Sequence, residues 1–129
     1  MKRSKPIQAA PWQQKHRPIA RPGSTIDPAL RQQVREREHG CCALCGEPLP
    51  AVWQCHHRKL RSRGGLDSIC NLIALDSGCH RRVHSHPSWS EEHGFMVSAY
   101  EDPATVPVAV HLSSWRLLLP DGTYRMDAA

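Results

Sequence analysis

The residues best suited to catalysis are four histidines that occur in two pairs. His80 and His84 are four residues apart, and this spacing puts two imidazoles on one face of a helix, where they can bind one metal ion. His56 and His57 are adjacent, and on a strand they would point to opposite faces. If His56 joins the helical pair, three neutral imidazoles hold a metal and leave positions open. His57 is then left to take a proton from water, because imidazole titrates near neutral pH.

The cysteines indicate a second metal site. Cys42 and Cys45 form a CxxC turn with Gly46, which is half of a typical zinc site, and Cys79 is the obvious third ligand. A two-knuckle pattern would place a fourth cysteine three residues before Cys79, where this chain has Asp76. Three interpretations stay open: three thiolates with Asp76, three thiolates with another donor, or a degenerate site that holds no metal. The spare thiols are Cys41, Cys55 and Cys70.

An asparagine and a set of basic side chains lie between and beside these ligands. Asn71 can bond across the intervening loop to backbone or to an imidazole, and so hold the base in orientation. The basic residues are predicted to contact phosphates: Arg58, Lys59, Arg61, Arg63, Arg81 and Arg82. Such contacts are mostly blind to base sequence, so binding should weaken steeply as salt rises.

Composition bounds the class of protein. The chain has 129 residues, with 17 Lys+Arg against 12 Asp+Glu and a net charge of +5, which suits one small domain with a polyanionic partner. With 11 Pro, 8 Gly and one Phe, the core should be thin, and a bound metal would help to hold it. The sequence contains neither an apolar run of membrane-spanning length nor a signal h-region. We therefore expect a cytoplasmic protein whose six cysteines serve as metal ligands or free thiols.

The elements that must position these residues follow from caps, periodicity and turns. We expect a flexible basic arm over 1–26, the functional domain over 27–100 and a β extension over 101–129. A helix should run from its cap, Asp27, to Gly40, with Arg31, Arg35 and Arg37 as further phosphate contacts. A strand over 52–57, a Gly-rich loop, a second strand over 71–75 and a helix from Asp76 that Pro87 ends should follow. The segments "FMVSAY" and "WRLLLPDGTYRM" are predicted strands, the latter as a hairpin with its turn at Asp121-Gly122.

The stretches "CALCG", "HHRKLRSRGG", "NLIAL" and "CHRRVHSHP" together resemble the HNH endonuclease family, with its ββα-metal (His-Me finger) fold. The letters of the family name fall on His57, Asn71 and His80. With the predicted elements, this gives a small α+β protein: a ββα-metal core with a zinc knuckle, an N-terminal helix and a C-terminal β-hairpin.

The resemblance also implies a role for each of these residues. It makes His57 the general base, places His56, His80 and His84 on a catalytic metal, and gives Asn71 the task of fixing the loop. It further implies a structural Zn²⁺ on three cysteines, and the departure at Asp76 puts the fourth ligand in question. That set is Cys42, Cys45, Cys79 and Asp76.

The implied activity is hydrolysis of DNA phosphodiester bonds, in which a bound divalent ion (Mg²⁺, Mn²⁺, Ni²⁺ or Zn²⁺) stabilises the transition state. The basic arm and the tail resemble those of small stand-alone phage and prophage HNH proteins, which implies a bacterial host cytoplasm and a link to DNA packaging. The rivals are a non-catalytic zinc-dependent DNA-binding module, a packaging factor that binds terminase or portal, and RNA as the substrate. No membrane or small-molecule substrate is expected.

Overall fold

Three helices and two small antiparallel sheets make up the part of the chain that the computed structural model describes, residues 25–127. The predicted basic arm falls almost wholly outside these residues. The helices are α1 (Pro28–Arg37), α2 (Ser77–Ser85) and α3 (Pro87–Glu92). The strands are β1 (Gln54–His57), β2 (Leu72–Leu75), β3 (Val108–Val110), β4 (Ser114–Leu118) and β5 (Tyr124–Met126). The predicted small α+β fold class is confirmed.

The first sheet and the helix that follows it form the ββα unit. Strands β1 and β2 pair in the register Gln54↔Leu75 to His57↔Leu72, so the two adjacent histidines lie at one end of the hairpin. All four residues of β2 are buried, which explains why "LIAL" is continuously apolar rather than alternating. Asp76 follows directly and caps α2 by accepting a hydrogen bond from the Cys79 amide. The hairpin and the helix are thereby joined without a loop.

The second sheet packs into the same core as the ββα unit. It has the strand order β3-β4-β5, and Val108, Val110 and Leu118 are buried together with Val34 of α1 and Val83 of α2. The predicted C-terminal hairpin exists as β4 and β5, extended by β3 into three strands. Since all five side chains are almost wholly buried, the histidine-bearing elements rest on a single support.

Helix α1 is attached to this support through a buried charged group. Arg37 donates to the carbonyl oxygens of Ile69 and Leu72 and pairs with Glu38, whose carboxylate also accepts from the hydroxyl of Tyr124. The expectation that Arg37 contacts phosphate is wrong, because its guanidinium is buried and its donors are used within the fold.

Of two local predictions after α2, the end of the helix before Pro87 is confirmed, and the strand at 95–100 is wrong. Pro87 does follow the end of α2, but it also begins α3, where a proline costs no hydrogen bond at the first helical position. The segment 95–100 is not a strand. Phe95, Met96 and Val97 are buried as irregular chain, and the amides of Phe95 and Met96 bond to Ser90 rather than to a neighbouring strand.

Among residues 25–127, no helix is both long and apolar enough to span a bilayer.

Candidate metal centres and active site

Three histidines meet where β1 packs against α2. The ring centroid of His56 lies 5.2 Å from those of both His80 and His84, and the latter two are 4.5 Å apart. One ring nitrogen from each lies within 4.8 Å of the other two, a spacing compatible with a shared metal ion. The structure thus brings together the three imidazoles that the spacing and the resemblance assigned to one site.

A backbone carbonyl orients the buried member of this trio. His56 is 2% exposed, and its Nε2 lies 2.8 Å from the carbonyl oxygen of Phe95, which can only accept a hydrogen bond. Nε2 therefore carries the hydrogen, and the lone pair of Nδ1 is left for a metal. Metal-binding histidines commonly use their second nitrogen in this way, which fixes both the ring and its tautomer.

The protonation of the trio also suits a metal site. Burial lowers the pKa of His56 to about 3, and burial together with the neighbouring His84 lowers the pKa of His80 to about 4. Burial lowers the pKa of His84 as well. All three rings are neutral at pH 7, as a ligand must be. The Nε2 atoms of His80 and His84 lie 3.1 Å apart, close enough for both to reach one cation.

His57 lies in a different environment from its neighbour. Its Nε2 is 2.7 Å from Oδ1 of Asp67, and its side chain is 14% exposed. Arg61 donates to both oxygens of Asp67 at 3.0 and 3.1 Å. The hydrogen bond from His57, followed by the bonds and charge of Arg61, lowers the pKa of Asp67, so its carboxylate is ionised at neutral pH.

Asn71 closes the loop that separates β1 from β2. Its Oδ1 accepts from the amide of Lys59, while its Nδ2 donates to the carbonyls of Lys59 and Leu66. Of the two partners that the sequence left open for this amide, the structure has backbone, and the imidazole of His57 is held by Asp67 instead. The loop passes so close to itself that a Cβ on Gly65 would lie 1.7 Å from the carbonyl oxygen of Lys59, which explains the glycine.

The cysteine cluster forms beside the first turn of α2. Ligand atoms of Cys42, Cys45, Asp76 and Cys79 all lie within 4.8 Å of one another. The turn that carries the first two cysteines is closed by a bond from Gly46, at φ +79°, to the carbonyl of Cys42. Asp76 takes part through both oxygens, since Oδ1 accepts from the Cys79 amide at 2.7 Å and Oδ2 accepts from the Cys45 thiol at 3.2 Å.

This donor set fits a metal ion that tolerates sulfur. Three thiolates and one carboxylate give four donors, the number that structural zinc sites use. Burial raises the pKa of Cys79 and Cys45, whereas the bond from the Cys79 amide lowers the pKa of Asp76. The thiols of Cys79 and Cys45 therefore keep their protons until a cation displaces them, which couples metal affinity to pH. The cluster resembles a zinc knuckle.

Arg58 has a different role from the one its position suggested. It is fully buried, and its guanidinium donates to four carbonyl oxygens at 2.5–3.3 Å. These belong to Cys70, Gly94, Pro103 and Val106. Burial lowers the pKa of Arg58 to about 10, which still leaves it charged at pH 7. The expectation that Arg58 contacts phosphate is wrong, because no donor faces solvent; it ties β1 to the chain beyond α3.

The other basic side chains divide into engaged and unengaged sets. Arg61 pairs with Asp67, Arg63 pairs with Glu91, and Lys59 donates to the carbonyl of Glu101. Arg81 and Arg82 are exposed on α2, and neither forms a salt bridge with any residue in 25–127.

Two features of the site were missed from the sequence. One is Asp67, which stands in the Gly-rich loop between His57 and Asn71, where a lone carboxylate among basic residues was the available signal. The other is the carbonyl of Phe95 behind His56, and a backbone group in a distant segment gives no sequence signal.

The comparisons with known proteins agree with this geometry. The family model for HNH endonuclease matches residues 42–86. A protein of Escherichia coli (strain K12), the type IV methyl-directed restriction enzyme EcoKMcrA, is 31% identical over 65 residues, which cover 45% of this chain. The match spans only 24% of that relative. No solved structure matches the chain significantly. Residues 42–86 of this chain are thus similar to the HNH endonuclease family.

Proposed function

We propose that the chain is a metal-dependent endonuclease that hydrolyses DNA phosphodiester bonds. The observation that carries this proposal is the convergence of His56, His80 and His84, three neutral imidazoles with ligand atoms within 4.8 Å. A fourth histidine, His57, lies next to them in sequence and is held separately. A structural site would be satisfied by closed coordination, whereas three imidazoles leave room for a substrate oxygen.

The residues divide the work between binding and proton transfer. His56, His80 and His84 would hold a divalent cation, which when bound offsets the charge that builds up on the phosphate oxygens and the leaving 3′ oxygen. His57 takes a proton from a water molecule, which attacks the phosphorus in line. The bond from phosphorus to the 3′ oxygen breaks, and this oxygen takes a proton from solvent, which leaves a 5′-phosphate and a 3′-hydroxyl. Asn71 keeps the loop beside His57 in one conformation.

The proposal that DNA is the substrate rests on exposed positive charge and on the relative from E. coli. Arg81 and Arg82 lie on the same helix as two of the metal-binding histidines and have no acidic partner among the described residues. They can therefore meet a phosphate backbone without first breaking a salt bridge. The E. coli relative is a restriction enzyme, which favours DNA over RNA. No feature of residues 25–127 favours a terminase or portal partner, so we do not propose one.

The second metal is proposed to be structural. Asp76 would complete the coordination by Cys42, Cys45 and Cys79, and the thiolates favour Zn²⁺ over Mg²⁺. Helix α2 carries Cys79 and, one residue later, His80, so a metal at the cysteine cluster would hold the helix end that presents the catalytic ligands.

A cleavage assay on supercoiled plasmid tests the activity. The purified chain is stripped of the loosely held metal, and Mg²⁺, Mn²⁺, Ni²⁺ and Zn²⁺ are added back one at a time, with a labelled RNA run in parallel. We expect nicking that needs a metal and leaves ends that DNA ligase can seal. Salt-sensitive DNA binding without cleavage under any metal would favour the non-catalytic DNA-binding module, and cleavage of RNA alone would overturn the choice of substrate.

A further inference from the structure

We propose that Asp67 is a positioning residue for His57: its carboxylate accepts the Nε2 hydrogen of the imidazole and so keeps the Nδ1 lone pair available as the base. This inference rests on the proposed nuclease function, in which His57 takes the proton from water. It adds a residue to the catalytic apparatus that neither the motif spacing nor the family resemblance indicated.

The geometry gives His57 one engaged nitrogen and one unengaged nitrogen. Nε2 lies 2.7 Å from Asp67 Oδ1, the distance of a strong charge-assisted hydrogen bond. Within residues 25–127, Nδ1 makes no hydrogen bond with the protein. A general base needs a free lone pair on the nitrogen that faces the water, so the engaged nitrogen must be the one that holds the hydrogen.

Two side chains lie within hydrogen-bond distance of Nε2, and which of them bonds to it depends on whether Nε2 carries a hydrogen. Besides Asp67, the Nε atom of Arg61 lies 3.3 Å from Nε2 and would donate to it if it were unprotonated. In that case two lone pairs, one on nitrogen and one on a carboxylate oxygen, would face each other at 2.7 Å. The shorter distance and the negative charge of Asp67 therefore assign the hydrogen to Nε2.

Arg61 then has a supporting role. It grips both oxygens of Asp67 at 3.0 and 3.1 Å, which fixes the plane of the carboxylate against His57. Removing Asp67 frees the Arg61 guanidinium to donate to Nε2. That contact would favour the tautomer with its hydrogen on Nδ1. In this tautomer Nδ1 has no lone pair with which to take a proton from water.

The test combines a spectroscopic signature with kinetics. We would record the ¹⁵N chemical shifts of the His57 ring in the full chain with diamagnetic Mg²⁺ or Zn²⁺ at about pH 8, because the shifts of the two ring nitrogens report which one carries the hydrogen. His57 is assigned by its loss in a His57→Ala spectrum. Steady-state cleavage of plasmid gives kcat and KM for Asp67→Ala. Asp121→Ala is the matched control, because Asp121 is an exposed aspartate whose side-chain bonds within residues 25–127 go to Thr123.

We expect wild-type His57 to carry its hydrogen on Nε2, and Asp67→Ala to shift it towards Nδ1. The variant should lose about 10–100-fold in kcat with KM unchanged, which is typical of residues that orient a catalytic group. The control should retain wild-type kcat and tautomer.

Three results would overturn the inference: a wild-type His57 with its hydrogen on Nδ1, an Asp67→Ala enzyme with the kcat of the control, or a loss confined to KM. If the variant fails to fold, the wild-type tautomer still decides. Failure of the proposed function is distinguishable, since the wild-type protein would then fail to cleave DNA with any of the metals tested.

Discussion

Replacing Arg58 with alanine should destabilise the fold, rather than remove a direct contact with DNA. The side chain is fully buried and supplies hydrogen bonds to four backbone carbonyls from three separate segments of the chain. A buried acceptor left without its donor costs about 1–3 kcal/mol, and removing one partner of a buried charged network costs about 3–5 kcal/mol. We take the second range, because the four losses are not additive.

This loss is large compared with the stability of a small domain. Native proteins typically have a free energy of unfolding of only about 5–15 kcal/mol in total. Since 1 kcal/mol shifts the melting temperature by about 4–8 °C in a small domain, a loss of 3 kcal/mol lowers Tm by at least about 12 °C. Arg58→Lys keeps the charge but loses the planar fork of donors, so we expect an intermediate Tm.

Thermal unfolding followed by circular dichroism measures the effect, and DNA affinity is measured at a temperature where each variant is folded. Arg82→Ala is the matched control, because Arg82 is exposed and forms no salt bridge within residues 25–127. We expect the control to keep Tm within about 2 °C and to bind DNA more weakly. An Arg58→Ala protein with wild-type Tm and weakened DNA binding would refute the structural role that its burial indicates.

Three further predictions concern metal, pH and salt. Cys42→Ser should lose bound zinc and lower Tm by at least about 10 °C, whereas Cys70→Ser, outside the cluster, should keep both; equal zinc content by elemental analysis would contradict the knuckle. The metal-free protein should lose stability as pH falls from 7 to 5, because His56 has a pKa of about 3 when folded and about 6.5 when unfolded, so the unfolded state binds protons that the native state excludes. His56 contributes up to about 1.4 kcal/mol per pH unit below pH 6.5, and a urea midpoint that does not change over this range would contradict it. Arg81→Ala and Arg82→Ala should each reduce the slope of log Kd against log salt by about 0.9, as expected for one lost phosphate contact, and unchanged slopes would exclude α2 from the DNA interface.

The site was predictable from the sequence where its geometry is local. Two histidines four residues apart share a helix face, and a CxxC turn brings two thiols together whatever the rest of the chain does. The assignment of His56 to the same site as the helical pair depended on the family resemblance. The structure shows why His56 lies there: β2 runs directly into α2, so its partner strand β1 lies against the helix.

The rest could not be predicted because it depends on segments distant in the sequence. Arg58 follows two functional histidines, and a basic residue there suggests phosphate, yet carbonyls from residues 70–106 enclose it. The first half of the segment 95–100 is apolar because it is buried, and its amides find partners in α3 and at Arg58 rather than in a sheet. Asp67 contacts His57 across ten residues of an irregular loop, for which no periodicity exists.

The measurement that tests the central claim most directly is the plasmid cleavage rate of His57→Ala beside wild type, with the activating metal and with DNA affinity measured for both. His39→Asn, which changes an exposed histidine beyond the end of α1, serves as the control. We expect a loss of about 10²–10⁴-fold in His57→Ala with unchanged DNA affinity, because the proton acceptor is gone while the metal-binding trio is intact. Cleavage by His57→Ala at the rate of the control would show that His57 is not the base.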